Sequence, residues 1–405
     1  ELIWHPPHFQ VRYEHWVNGL SGDWLVSRQR FFGVPIPLWY QLSEEGEPDY
    51  DRPIRPTWMP MDPSSDTPPG YEESQRGKPG GFIGEPDVFD TWATSTLTPT
   101  IAGFDGQMDL RPQGPEIIRT WLFGTVVRYP QLPWRHTMIN GWILDPDRKK
   151  MSKSVGNVVT PLSLLHEHSP DAVRYWAASA TPGMDTALDS GQMRVGRRLA
   201  TKILNASQFV LGFPASDAVP IEPLDLSMLA ALASTVDDAT AALHDYDFGR
   251  ALAVTEKFFW HFCDDYLELV KARAYNGSES ARAALRTALA ILLRLFAPML
   301  PFVTEEAWSW WQSGSIHLAS WPTLSTDGDP GLLSLATQAI GAVRRAKSTA
   351  RVSMRAPMAS LAIHCDAPTW DRLQPALPDL QAAGVIATIT HDLTDTAPTF
   401  TPVLA

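Results

Sequence analysis

Thr137-Met138-Ile139-Asn140-Gly141-Trp142-Ile143-Leu144, then Asp145-Pro146-Asp147, then Arg148-Lys149-Lys150-Met151-Ser152-Lys153-Ser154, with a proline at 161, is the stretch that decides the fold. The apolar run 137–144 reads as a strand and Asp-Pro-Asp as a turn. Pro161 suits the first position of a helix. Strand, loop and helix in that order predict an α/β layer. Lys150 and Lys153 flank small hydroxyl residues. On a loop, such a pair places positive charge and hydrogen bonds around a leaving pyrophosphate. Donors that close in as charge develops lower the barrier more than they tighten binding. An isolated lysine pair is more often a solvated basic turn, so the surrounding residues carry the weight of the reading.

Upstream, residues 1–39 are rich in Trp and His and end in the extended Phe31-Phe32-Gly33-Val34-Pro35-Ile36-Pro37. Residues 41–86 are crowded with Pro, Gly, Asp and Glu, which predicts a long surface excursion with little helix. Downstream of 189 the text becomes helical. Leu252, Thr255, Phe259, Phe262, Tyr266 and Leu269 recur at steps of three and four, one stripe of an amphipathic helix. Further helices are predicted over 191–212, 226–244, 279–297 and 302–311, forming a bundle. A helix carrying Arg344, Arg345, Lys347 and Arg351, alternating text at 360–364, a helix near 368–382 and a β-like run at 385–390 predict a small closing α/β module.

With 405 residues, 44% hydrophobic and including 16 Trp, the chain is long enough for two or three packed domains. The net charge of −12 argues against non-specific coating of nucleic acid, while leaving room for a local basic face. No apolar run reaches the ~20 residues of a membrane span, so no membrane partner is expected. Cys263 and Cys365 are too few for a structural zinc knuckle or a disulfide framework. No metal ligand set is expected, and the composition suits a reducing cytoplasm.

The signature string Lys150-Met151-Ser152-Lys153-Ser154 followed by Gly156-Asn157 resembles the second signature of class I aminoacyl-tRNA synthetases. Three more strings resemble the same family. The segment 22–37 (Gly-Asp-Trp-Leu-Val-Ser-Arg-Gln-Arg-Phe-Phe-Gly-Val-Pro-Ile-Pro) looks like the re-entry into the catalytic domain after the inserted editing domain. Asp171-Ala172-Val173-Arg174-Tyr175-Trp176 looks like the helix after the signature loop. Pro298-Met299-Leu300-Pro301-Phe302-Val303-Thr304-Glu305-Glu306-Ala307-Trp308 looks like a late helix of the anticodon-binding bundle. Asp87-Val88-Phe89-Asp90-Thr91-Trp92 is similar to the string of the valine enzymes.

The resemblance implies α/β followed by all-α: residues 1–188 as the second half of a Rossmann-type catalytic domain, 189–325 as a helical anticodon-binding domain, and 326–405 as a small C-terminal α/β module. It implies ATP-dependent activation of valine and transfer to tRNA(Val), Mg²⁺ accompanying ATP, no zinc, and a monomer in the cytoplasm. By motif position, Lys150 and Lys153 would be catalytic and residues Lys150, Met151, Ser152, Lys153 and Ser154 would meet ATP. Asp87 would hold the α-ammonium group, with Trp92 and Phe32 as pocket walls; Phe32 departs from the family's usual Trp. A rigid pocket discriminates poorly against threonine, only ~10²-fold, which is why the family adds an editing domain.

No His-x-Gly-His string, the other ATP signature of the family, occurs in 1–405. The nearest text, His5-Pro6-Pro7-His8, lacks the glycine, and consecutive prolines oppose a helix interior. Inactivity of the chain alone is therefore expected, with a missing N-terminal half as a partner. Two other readings stay open: a synthetase-derived tRNA-binding protein without catalysis, and an isoleucine enzyme. Arg194, Arg197, Arg198 and Lys202 recur at helical spacing and form a candidate tRNA-facing surface, although a solvated charged face has the same pattern.

Overall fold

The computed structural model describes residues 2–103, 106–152, 154–216 and 218–405. They gather into two compact units, one of the residues up to Trp142 together with Pro182–Asp185, the other of Ile143–Thr181 with Thr186–Ala405.

The first unit runs β1 (Ile3–His5), α1 (Gln10–Asn18), β2 (Ser27–Arg28), β3 (Trp39–Gln41), β4 (Phe82–Gly84), β5 (Val88–Phe89), α2 (Thr91–Ser95), α3 (Thr98–Ile101), β6 (Met108–Gln113), α4 (Phe123–Arg128) and β7 (Trp134–Ile139). Its sheet is parallel, in the order β1–β7–β6. A parallel pair needs a crossover, and a π-helical turn at Ile118–Leu122 leading into α4 supplies it between β6 and β7. Ile118 and Leu122 bury against Trp4, Trp134 and Ile139, so the crossover and the sheet share one core. The buried Arg111 of β6 lies with its guanidinium carbon 3.1 Å from the Trp121 ring centre and 4.2 Å from that of Trp134. Burial pushes its pKa down to about 9, an effect the two indole faces oppose by cation–π attraction.

The stretch 41–86 is more than a surface excursion. β3 pairs antiparallel with β4, and Trp39, Met61 and Phe82 form a core of their own beneath the turns. Trp39 Nε1 donates to the Asp66 carbonyl at 3.0 Å, so the turn chemistry itself satisfies the buried indole.

The second unit runs β8 (Ile143–Leu144), α5 (Pro161–His168), α6 (Pro170–Ala178), β9 (Thr186–Ala187), α7 (Ser190–Leu211), α8 (Pro223–His244), α9 (Phe248–His261), α10 (Leu267–Tyr275), α11 (Glu279–Phe296), α12 (Pro301–Ser309), α13 (Pro330–Thr349), β10 (Met358–Cys365), α14 (Ala367–Leu373), α15 (Leu377–Gly384), β11 (Ile386–Leu393) and β12 (Thr399–Leu404). The predicted stripe from Leu252 to Leu269 is buried along its whole length, carried from α9 to α10 through a π-helical turn at Phe262–Tyr266. α8 is long and apolar enough to cross a membrane by length and composition, which the sequence reading did not expect. Leu224, Met228, Leu229, Leu232 and Val236 place it in the bundle core instead.

Two buried polar clusters organise this unit. Asp225 of α8 accepts bonds from Tyr266, Ser280 and Arg273 at 2.7–3.0 Å, and Arg273 also pairs with Asp379 at 3.0 Å. Helices α8, α10 and α15 are thereby pinned through one guanidinium. Lys347 of α13, 1% exposed, donates to the carbonyls of Met354 and Gly384. Strand β10 lies between β11, parallel, and β12, antiparallel. Its inward residues Met358, Leu361, Ile363 and Cys365 share a core with the bundle helices.

Candidate active site

In the second unit the signature loop is tied at its base. Leu188 and Leu144 join the β8–β9 pair that flanks it, the Asp145 N–H donates to the Lys149 carbonyl, and the Asp145 carbonyl accepts the Arg148 N–H. The buried Asp145 carboxylate accepts the Lys149 N–H at 2.7 Å through one oxygen and Asn157 Nδ2 at 2.8 Å through the other. Asn157 in turn accepts the Ser152 N–H at 2.9 Å and donates to the Lys150 carbonyl at 3.2 Å. Those bonds hold the Asp145 carboxyl below its usual range, the Lys149 N–H contributing most. Arg148 at φ 63° and Gly156 at φ 75° turn the chain at the two ends of the loop.

Within the loop, Ser152 Oγ stands 3.2 Å from Ser154 Oγ and accepts the Val155 N–H at 3.3 Å. Met151 and Ser152 are half-buried, while Lys150 and Ser154 are exposed. Lys153 lies outside the described residues. The arrangement presents an exposed cation and hydroxyls on a loop whose base is fixed, which suits an incoming polyphosphate.

In the first unit two strings far apart in sequence are zipped together. β2 pairs antiparallel with β5, Ser27 opposite Phe89 and Arg28 opposite Val88. Gly33 lies so close to Val88 that a Cβ would sit 2.6 Å from its Cγ2. Asp90 caps α2 by accepting the Trp92 N–H at 3.0 Å, and its other oxygen takes Trp24 Nε1 at 3.1 Å and Arg28 Nη2 at 2.5 Å. Asp90 is therefore the structural carboxylate of the string. Asp87 is the available one: half-buried, with Gln29 Nε2 at 3.4 Å.

The two aromatic candidates differ. Trp92 is 37% exposed on α2, whereas Phe32 is 90% exposed beside the Gly33 contact. The turn that carries Phe32 packs on β5 through Gly33 and Val34. Sequence reasoning missed Arg28, Trp24 and Asp145. For the last, the sequence offered only an acidic residue opening the Asp-Pro-Asp turn.

Arg194, Arg197, Arg198 and Lys202 come together on α7, where with Thr201, Asn205 and Trp260 they line a groove of about 560 Å³. Lys202 pairs with Asp264 at 2.9 Å and stands 5.5 Å from the Trp260 ring centre. Arg197 donates to the Glu167 carbonyl at 3.3 Å. Cations along a helix beside an indole can meet phosphates and stack a base, and Trp260 was not foreseen in the sequence. Among the described residues no group of His, Cys, Asp and Glu is arranged to hold a metal ion.

Residues 1–189 match the family described as tRNA synthetases class I (I, L, M and V), and residues 225–363 match the anticodon-binding domain of tRNA ligase. A Valine--tRNA ligase of Thermobifida fusca is 58% identical over 98% of this chain and 48% of its own length. One of Salinispora tropica is 55% identical over 99% of this chain and 52% of its own. Among solved structures, a LeuRS of Agrobacterium radiobacter K84, in a ternary complex with tRNA and LeuAMS, shares the fold. Its TM-score is 0.57 at 21% identity, over 78% of this chain and 45% of that one. The chain spans about half the length of the curated relatives it matches. By its catalytic-domain and anticodon-binding matches, and by the strings that carry them, the chain belongs to the class I aminoacyl-tRNA synthetases.

Proposed function

We propose that the chain is the signature-loop and anticodon-binding part of a valine–tRNA ligase, which joins valine to ATP as valyl-adenylate, releases pyrophosphate and transfers valine to the 3′ end of tRNA(Val). The observation that carries this reading is the signature loop fixed at its base by Asp145 and Asn157, in a chain 58% identical to a protein named Valine--tRNA ligase. Lys150 and Lys153 act on the pyrophosphate as its charge grows, with Met151, Ser152 and Ser154 shaping the ATP-facing loop. Asp87 holds the α-ammonium group by a charge-assisted bond, Trp92 walls the side-chain pocket, and Phe32 is the second wall. Mg²⁺ accompanies ATP. Arg194, Arg197, Arg198 and Lys202 face tRNA. The functional division is 1–188, 189–325 and 326–405, in a cytoplasmic monomer. The residues that complete the ATP site, including a His-x-Gly-His element, come from outside this sequence.

The test is Lys150→Ala in a protein in which this chain is joined to the complementary half of the catalytic domain. Loss of one donor that acts in the transition state lowers the pre-steady-state rate of adenylate formation by about 10²–10³. The dissociation constants of valine and ATP stay within a few-fold. An unchanged rate contradicts the assignment. Absence of any activation in the joined wild type, with tRNA binding retained, favours the non-catalytic tRNA-binding reading.

A further inference from the structure

The signature loop leaves β8 and returns toward α5 over residues 145–160, and the contacts that close it converge on two side chains. Asp145 and Asn157 sit at its two ends, twelve residues apart, and their side chains meet at 2.8 Å. Each also holds the loop between them: Asp145 through the Lys149 N–H, Asn157 through the Ser152 N–H and the Lys150 carbonyl. Asp145 is buried, whereas Lys149, Lys150, Ser154 and Val155 are exposed, the last at 68%. The loop therefore has a fixed base and an open tip. Chains of bonds that share two side chains open together, because breaking the central one releases the geometry of the rest.

We propose that Asp145 and Asn157 form a latch that sets the position of the signature loop, and are positioning residues for the pyrophosphate-facing lysines without touching the nucleotide. This rests on the proposed adenylate chemistry for its consequence, but not for its geometry. The pair is also chemically directional: one partner supplies only acceptors, the other a donor and an acceptor. Exchanging the two residues keeps that complementarity. With Asp145→Asn and Asn157→Asp together, the new amide can donate to the new carboxylate, and the N–H groups of Lys149 and Ser152 keep their acceptors. Only the bond to the Lys150 carbonyl is lost. Asn157→Asp alone sets two carboxylates face to face and opens the latch.

The full 405-residue chain tests this without any need for activity. Trypsin cuts after Arg148, Lys149, Lys150 and Lys153, and mass spectrometry follows those cuts against cuts elsewhere in the same chain. The expected result is loop cleavage about ten- to a hundredfold faster in Asn157→Asp, the opening set by loss of one charge-assisted bond, with cleavage elsewhere unchanged. The double exchange returns the rate to within about threefold of wild type, as double-mutant coupling between contacting residues requires. Loop cleavage at the wild-type rate in the single variant, or no recovery in the double exchange, overturns the latch. If Asn157→Asp cleaves faster everywhere, the chain has loosened globally, and the double exchange then decides alone: recovery supports the latch and no recovery overturns it. In the protein joined to its complementary half, opening should lower kcat for adenylate formation with KM for ATP little changed. A joined wild type that forms no adenylate contradicts the proposed function while the proteolysis result still stands.

Discussion

Asp171 and Val303, 132 residues apart, meet in a hydrogen bond of 2.7 Å in which the Asp171 carboxylate accepts the Val303 N–H. The other oxygen accepts the Phe302 N–H at 3.2 Å, so Asp171 caps the start of α12 from α6. Arg174, one turn on, donates to the carbonyls of Pro298 and Met299, and Tyr175 donates to Glu256 at 2.8 Å. Two strings read separately in the sequence are thus one brace between α6 and the bundle. Asp171→Ala leaves two N–H groups at a buried helix start without their acceptor and should cost about 1–3 kcal/mol in urea unfolding.

Burial pushes the Asp171 carboxyl above its usual range, against the pull of those two N–H bonds. A folded-state pKa raised above the unfolded value contributes stability that is full below the unfolded value, about 4, and declines as pH rises through the folded one. Asp171→Asn removes the titration and keeps one acceptor. The stability difference between wild type and Asp171→Asn should therefore favour wild type most near pH 4 and shrink toward pH 7. Paired urea titrations at the two pH values measure it, and a difference that grows with pH contradicts the assigned environment.

Arg273 holds two carboxylates at once, Asp225 at 0% side-chain exposure and Asp379 at 9%. Arg273→Met should destabilise the second unit by about 3–5 kcal/mol, because it leaves buried charges without a partner. Restoration of part of that loss by Asp379→Asn in the same chain would trace it to the pair.

The α7 groove is the surface from which an RNA contribution is expected. Arg194→Glu and Arg198→Glu should weaken binding of a tRNA, and each lost phosphate contact should reduce the slope of log affinity against log salt by about 0.7–1. Unchanged affinity and slope would leave the groove a solvated charged face.

Phe32, at 90% exposure, has little packing to lose, so Phe32→Ala should leave stability within about 0.5 kcal/mol. In the joined protein, Trp92→Ala should narrow the preference for valine over isoleucine more than Phe32→Ala does, and Asp87→Ala should raise KM for valine more than KM for ATP. Equal effects of Trp92→Ala and Phe32→Ala on the preference would make the two aromatic walls equivalent.

What could be read from the sequence was what lies contiguous in it. The signature string, the Asp-Thr-Trp string and the helical stripe from Leu252 to Leu269 each declare themselves within one stretch, and the α/β-then-helical order followed from them. Contacts that join distant residues left little trace: nothing in the text pairs Arg28 with Asp90, or Arg273 with both Asp225 and Asp379. β12 escaped notice because Pro402 and the two threonines Thr399 and Thr401 look like loop text, yet an edge strand tolerates a proline. The lobe around Trp39 was hidden for a related reason, since turn residues outnumber the three side chains that make its core.

Valine-dependent ATP–pyrophosphate exchange tests the central claim most directly, measured on the 405-residue chain alone and joined to the complementary half that carries a His-x-Gly-His element. The account predicts background exchange for the chain alone and, for the joined protein, exchange that depends on valine far more than on isoleucine and is lost with Lys150→Ala. Valine-dependent exchange by the chain alone well above background, or equal exchange with isoleucine in the joined protein, would contradict it.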